Sequence, residues 1–165
     1  MSNTFGTMYL KELENETIST RKCLERIPEK LFSWKPHERS MPLGELSLIV
    51  AEIPKWLTTM IEKSEIDFAT FMHIHPKNST DLVNYFNDNL SGAKNALENV
   101  SDEELSKLFY LKNNGVTVFS SPKGDSIGSS INHLVHHRGQ LTVYLRLNDI
   151  PVPSIYGPSA DEQPF

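Results

Sequence analysis

Apolar residues recur at intervals of three and four in four separate segments of this 165-residue chain. This spacing places side chains on one face of an α-helix. The four stripes run through residues 10–27, 43–57, 82–100 and 127–145. Because the sequence has no internal repeat or low-complexity linker, we predict an all-α protein, a four-helix bundle that forms a single domain over residues 1–165.

Ordinary start and stop signals mark the expected helix boundaries. Pro28 should end the first helix, and the cap-like Ser40 should precede the second. Pro54 lies inside the second stripe, where proline removes a backbone hydrogen bond, so we expect a bend or a restart near residues 52–53. The polar residues 78–80 offer an N-cap for the third helix.

The segment from Glu62 to Lys77 has mixed polarity and is expected to be the end of the second helix followed by a connection. It contains His73 and His75, which could share a face only on an extended strand. Because no carboxylate or cysteine flanks these histidines, we expect no metal site there.

The helical period is interrupted once, before the last stripe. Ser101 and Glu104 have the spacing of a capping box, which predicts a short helix over residues 102–107. The residues that follow are rich in β-branched and aromatic side chains around Asn114 and Gly115, a sequence that favours a hairpin or extended excursion. We therefore expect a short hairpin insertion before the last helix.

The last helix is expected to begin near Ser126 and to end before Pro151. The tail beyond it shows no periodicity. Prolines restrict the unfolded chain there, and Ile155 and Tyr156 offer apolar anchors, so we predict an irregular but ordered C-terminal tail.

Composition and charge narrow the classes of partner. The chain has 16 Lys and Arg against 21 Asp and Glu, a formal net charge of −5, and its basic residues are scattered. We therefore expect no nucleic-acid partner.

The absence of a long apolar run or a signal-like start predicts no membrane association. The single cysteine, Cys23, agrees with a cytoplasmic location and is expected to be a buried, inert thiol.

The stretch NHLVHHRGQ in the last helix holds half of the six histidines and is the most distinctive chemical feature. At about 100° per residue, His133 and His137 lie side by side at the border of the apolar stripe. This i,i+4 spacing lets two imidazoles chelate a divalent ion such as zinc, although such a pair can also form hydrogen bonds without a metal. Gln140 and Tyr144 extend the same polar strip as candidates to orient a substrate, whereas His136 points elsewhere.

Arg138 lies within the apolar arc of the same helix, where an unpaired guanidinium would be costly. A buried partner is therefore expected. The tail could supply Asp161 or Glu162, and the second helix could supply Glu45 or Glu52. A clamp that pins the tail and a role in binding a substrate anion are both open.

Four stretches carry a resemblance to a known family. They are FSWKPHERSMPLGEL at residues 32–46, AEIPKW at 51–56, INHLVHHRGQLTVYLR at 131–146 and VPSIYGPSADE at 152–162. In these stretches the chain resembles the DinB-like family, four-helix bundles often described as damage-inducible, metal-dependent proteins. The resemblance implies a role in a stress response, a homodimer, and a nickel or zinc ion held by three histidines.

The resemblance places one ligand histidine on the second helix and two, spaced i,i+4, on the last. His133 and His137 match the latter pair. Ile49 stands where the first ligand is expected, and its side chain cannot bind a metal. Glu45 and Glu52 lie near the same face as Ile49, so either could offer a carboxylate instead.

Two functions from different classes follow. In the first, the protein is a metal-dependent thiol transferase or hydrolase, acting on a small-molecule thiol as relatives that use bacterial low-molecular-weight thiols do. In the second, it is a catalytically silent binding or stress protein of this family, with a degenerate metal site because Ile49 replaces the expected histidine.

Overall fold

The computed structural model describes residues 2–163 of the chain. Its elements, in chain order, are α1 (Thr4–Glu25), a 3₁₀ turn (Glu29–Leu31), α2 (Leu43–Lys63), β1 (Glu65–Asp67), α3 (Ser79–Asn99), α4 (Asp102–Ser106), β2 (Leu108–Asn113), β3 (Val116–Pro122) and α5 (Lys123–Leu147).

The fold is mostly helical, and its four long helices coincide with the four apolar stripes of the sequence. Helix α2 packs against α3 and α5, and α1 packs against the same two helices. Their buried faces form one core, with Leu13, Leu57, Phe86 and Leu134 among its fully buried side chains. Across residues 2–163, no helix combines the length and the apolar character needed to cross a membrane.

The expected hairpin before the last helix is confirmed. Strands β2 and β3 pair antiparallel, and the turn between them is Asn114-Gly115. Both turn residues have positive φ, 50° at Asn114 and 78° at Gly115. Asparagine and glycine tolerate this conformation, which a two-residue hairpin turn of this kind requires.

The predicted all-α class is confirmed only as a mostly helical fold, because a third strand joins the expected hairpin to form a small sheet. Strand β1 pairs parallel with β2, in a segment that was expected to be a connection. Three residues are too few to show an alternating pattern in the sequence. The position of β1 depends on a tertiary contact: Asp67 accepts hydrogen bonds from the backbone N–H of Ala69 (2.9 Å), Asn114 (3.0 Å) and Gly115 (2.6 Å). These bonds lower the pKa of Asp67, and the bond from Ala69 has the largest effect.

The polar caps expected for α3 and α4 are present. The Asn78 side chain accepts from the backbone N–H of Asp81 at 2.9 Å, and the Ser101 hydroxyl accepts from that of Glu104 at 3.1 Å. The carboxylate of Glu104 forms an ion pair with the buried Lys123 at 2.5 Å. Glu104, whose backbone N–H is capped by Ser101, therefore also anchors the start of α5 through its carboxylate.

The predicted N-cap of α2 and the predicted start of α5 are shifted. Helix α2 begins at Leu43, with its apolar stripe, but its N-cap is Pro42 and not Ser40, whereas α5 begins directly after Pro122 and not near Ser126. Proline suits the start of a helix because its fixed φ is compatible with the turn and its missing N–H is not needed there.

Helix α2 runs through Pro54 without the restart expected near residues 52–53. Pro54 and its neighbour Ile53 are buried against the other helices, so packing holds the segment in place. Asn89 of α3 donates from its side-chain amide to the carbonyl oxygen of Ala51 at 3.1 Å. This bond ties α3 to α2 next to the Val50 carbonyl, the acceptor that loses its helical donor to Pro54.

Arg138 is buried, as its angular position requires, but its partner was not among the expected carboxylates. It forms an ion pair with Glu16 of α1 at 2.5 Å and donates to the hydroxyls of Ser19 (2.8 Å) and Thr20 (3.2 Å). Nη2 of Arg138 donates to the hydroxyl of Tyr156 at 3.0 Å, and this hydroxyl donates in turn to the carboxylate of Glu16. The clamp thus joins α5, α1 and the tail.

The tail carboxylates find other cations. Asp161 pairs with Arg146 at the end of α5, and Glu162 pairs with Lys22 (3.1 Å) and Arg26 (3.2 Å) of α1. The ordered, irregular tail is confirmed for residues 148–163, and residues 164–165 lie outside the described part of the chain.

Cys23 is fully buried on α1, as expected. Burial raises the pKa of its thiol to about 11, so the thiol stays protonated at neutral pH. It offers no reactive thiolate.

We predict that Glu16→Ala lowers the free energy of unfolding by about 3 kcal/mol, because it leaves the buried Arg138 without its counter-charge. Glu14→Ala is the matched control on the same helix, because Glu14 pairs with Lys94 at the surface. Urea unfolding followed by circular dichroism measures both. Equal, small losses for the two variants would contradict a stabilising clamp.

Candidate functional site

The i,i+4 spacing on α5 brings His133 and His137 into direct contact. Their Nε2 atoms lie 2.6 Å apart, and Nδ1 of His137 lies 2.8 Å from Oε1 of Gln140. Because an amide oxygen only accepts, Nδ1 of His137 carries the proton in this arrangement. Nε2 of His137 is then the acceptor for the N–H of His133. The three residues form a hydrogen-bonded series, the His pair with Gln140 at one end.

Burial lowers the pKa of His133, and the charges of His137 and His136 lower it further. His133 is therefore held towards its neutral form, in which it can donate one hydrogen bond and accept another. His136 is exposed, as expected, and its ring lies 5.1 Å from that of His137.

Tyr144 is not brought to the His pair. Its hydroxyl donates to the carbonyl oxygen of Met41 at 3.2 Å, and its ring meets the edge of Trp34 with the centroids 5.5 Å apart. Tyr144 thus packs α5 against the segment that precedes α2. Of the two candidates for orienting a substrate, only Gln140 contacts a histidine of the pair.

Residues 2–163 provide no third ligand for the His pair. Ile49 is partly buried against the core, and Glu45 is exposed. Glu52 is buried, and its oxygens are engaged by other side chains. Within residues 2–163, no three His, Cys, Asp or Glu side chains are grouped so that they could hold a metal ion. Two imidazoles alone do not fit the three-histidine site that the family resemblance implies.

The side chains around Glu52 form a second polar group, here called the Glu52 cluster: Glu52, Trp56, His73 and Tyr85. Glu52 accepts from Nδ1 of His73 (2.9 and 3.0 Å), from the hydroxyl of Tyr85 (3.0 Å) and from the indole N–H of Trp56 (3.2 Å). Burial, and then the charge of Glu52, raise the pKa of Tyr85, so its phenol stays protonated and donates. The buried carboxylate is therefore well supplied with donors.

An apolar cavity of about 270 Å³ lies between α2, the small sheet, α5 and the segment between β1 and α3. Its apolar wall includes Trp56, Met60, Ile66, Phe71, Phe109 and Phe119. His73 of the Glu52 cluster and His133 of the His pair both line the same cavity, and the rings of Trp56 and His133 lie 5.5 Å apart. The cavity therefore borders both the Glu52 cluster and the His pair.

Sequence reasoning missed the part of His73 in this site. No carboxylate flanks His73 in the sequence, yet the fold brings Glu52, 21 positions earlier, into contact with it. Only one local signal existed: Trp56 follows Glu52 by one helical turn, a spacing that lets the two side chains meet.

Comparison with known proteins places the fold. The model of the DinB family matches residues 1–164. The uncharacterized protein YrdA of Bacillus subtilis (strain 168) is 23% identical over 154 residues, which cover 93% of this chain and 89% of YrdA.

Two crystal structures have a similar fold. A DinB-like protein from Bacillus cereus ATCC 10987 superposes with a TM-score of 0.69 and 24% identity, covering 90% of this chain and 95% of that one. A DinB-like protein from Bacillus subtilis, YjoA, gives a TM-score of 0.68 and 19% identity over 87% of this chain and 95% of that one.

We predict that Tyr85→Phe lowers the free energy of unfolding by about 2 kcal/mol, because the buried Glu52 loses a donor. Tyr110→Phe on β2 is the matched control, since the described residues give the Tyr110 hydroxyl no partner. Thermal and urea unfolding of both variants provide the measurement. If Tyr85→Phe lowers the free energy of unfolding no more than the control does, Glu52 does not need the hydrogen bond from the phenol.

Proposed function

Because this chain belongs to the DinB family, we propose that it is a binding protein of that family, which takes up a small, largely apolar molecule in the cavity beside His133. The cavity itself carries the proposal. At about 270 Å³ it exceeds the cavity of about 150 Å³ that is known to accept benzene in another protein. A substituted monocyclic ring would fit.

The wall of the cavity has the composition of a ligand site. Ligand pockets are mostly apolar, with a few polar groups that set the orientation of the ligand. Here aromatic and aliphatic side chains form most of the wall, and His73 and His133 supply polar groups from two different elements. The cavity opens to solvent, since Phe119 is 53% exposed and the His73 side chain is 51% exposed, so a bound apolar molecule would cover apolar surface that now faces water.

The side chains available as metal ligands beside the cavity favour the binding of a small molecule over metal-dependent catalysis. Ile49 offers no ligand atom, and the carboxylate of Glu52 is committed to His73 and Tyr85. The second function from the sequence, a catalytically silent member on a four-helix-bundle scaffold, is therefore the one that this geometry supports best.

We predict that p-xylene binds saturably and shifts the indole N–H resonance of Trp56 in ¹H–¹⁵N spectra. Trp56 lines the cavity. The other tryptophan of the chain, Trp34, packs against Tyr144 and serves as an internal control. Ser130→Leu should abolish the shift, because Ser130 is a buried residue of the cavity wall and leucine would fill the space.

Ser91→Leu, at an exposed position on α3, is the matched control and should bind p-xylene as the parent does. The proposal fails if p-xylene shifts neither indole at saturation in water, or if it shifts both alike. It also fails if Ser130→Leu folds and still binds.

One observation favours a second candidate, the metal-dependent thiol transferase or hydrolase. The Nε2 atoms of His133 and His137 converge, as the two last-helix ligands of a nickel or zinc site would. This candidate function lacks a third metal ligand. Glu45 or Glu52 would have to supply that ligand after a rearrangement of side chains.

We predict that Ile49→His raises the affinity for nickel or zinc by about tenfold or more, because it completes the ligand set with His133 and His137. Calorimetric titration of tag-free protein, with metal-dependent melting as a second readout, measures the gain. Leu48→His is the control, since its side chain points in another direction around the helix. Stoichiometric, tight metal binding by the parent would instead support the enzyme and would make Glu45 and Glu52 the next residues to replace.

A further inference from the structure

We infer that the cavity selects a ligand with a hydroxyl group, a phenol or an alcohol with an apolar body, and that Nε2 of His73 accepts the hydrogen bond from that hydroxyl. The inference rests on the proposed function, because it names the chemical class of the molecule that the cavity takes up. It uses the Glu52 cluster and needs no metal ion.

Glu52 sets which nitrogen of His73 carries the proton. A carboxylate only accepts hydrogen bonds, so the ring nitrogen at 2.9 Å, Nδ1, must be the N–H. In neutral His73 the other nitrogen, Nε2, is then an acceptor. This is the way in which a carboxylate behind a histidine fixes its tautomer and its ring orientation.

Glu52 itself is held in place. It is 1% exposed, and Tyr85 from α3 and Trp56 from α2 bind its oxygens together with His73. The segment between β1 and α3 is tied to α2 at a second point, where Lys55 donates to the carbonyl oxygen of Met72 at 2.7 Å. The imidazole of His73 is thus presented from a fixed support.

His73 lies where a ligand can reach it. Its side chain is 51% exposed and belongs to the cavity wall beside Phe71, whose ring centroid is 5.4 Å away. Among residues 2–163, Nε2 of His73 has no hydrogen-bond partner, whereas its Nδ1 has two contacts with Glu52. An acceptor at the edge of an apolar cavity calls for a donor on the ligand.

Several other polar groups of the wall already have partners, although neutral His133, whose Nε2–H donates to His137, keeps Nδ1 as a second acceptor. The hydroxyls of Ser121 and Ser126 share a hydrogen bond at 2.6 Å, and Nε2 of His133 is paired with His137. To a neutral His73, a carboxylate ligand would bring no proton for Nε2, and it would approach the carboxyl group of Glu52 behind the ring. A neutral hydroxyl is the head group that this arrangement favours.

The test compares p-cresol with p-xylene, which has nearly the same shape but a methyl group in place of the hydroxyl. An apolar cavity without an acceptor binds the phenol at least about tenfold more weakly, because the hydroxyl is desolvated without compensation. If His73 accepts the hydrogen bond, p-cresol binds to the wild-type protein as tightly as p-xylene or more tightly. The shift of the Trp56 indole resonance reports both titrations.

His73→Phe keeps a ring in the wall and removes the acceptor. It should weaken p-cresol binding by about tenfold and leave p-xylene binding within about twofold of wild type. His75→Phe, at an exposed position two residues further on, is the matched control and should change neither ligand. If His73→Phe does not fold, the ring ¹⁵N resonances of His73 in the wild-type protein decide: titration with p-cresol should shift Nε2, and p-xylene should not.

The outcomes separate the inference from the proposed function. Binding of p-xylene with p-cresol about tenfold weaker overturns the role of His73 and leaves the cavity as a binding site. Equal loss of both ligands in His73→Phe also overturns it, since His73 would then only shape the wall. If neither ligand binds, the proposed function fails first.

Discussion

The buried carboxylate of Glu52 is the group on which the cavity depends. A charge removed from water is costly unless hydrogen-bond donors compensate it, and Glu52 obtains donors from α2, α3 and the segment between β1 and α3. That segment has no regular secondary structure around His73. The requirement for a donor to Glu52 holds it against α2, and Phe71 and His73 thereby become part of the cavity wall.

A second buried charge organises the opposite side of α5. Arg138 meets Glu16 and Tyr156 there, so one guanidinium joins two long helices to the tail. At about 100° per residue, Arg138 and His133 lie about 140° apart around the helix axis. Helix α5 therefore uses one face to hold the fold together and another to border the cavity, and substitutions on these two faces should separate stability from binding.

The sequence predicted much of the helical scaffold and part of the site. Helical periodicity located the four long helices, Asn114-Gly115 located the hairpin, and Asn78 and Ser101 located two caps. The contact between His133 and His137 followed from their i,i+4 spacing. These features depend on residues close together in the chain, so local geometry was enough to find them.

Contacts between distant residues were beyond the reach of periodicity. Strand β1 is too short to have a pattern, and its place was decided by Asp67 binding the turn of a hairpin almost fifty residues later. The need of Arg138 for a buried acid was evident from its position on the helix, but only the packing of α1 against α5 selected Glu16. Likewise, Glu52 and His73 became a pair only when the fold brought them together around a cavity. A sequence determines which side chains share a face of one element, whereas partners on different elements are selected by how those elements pack.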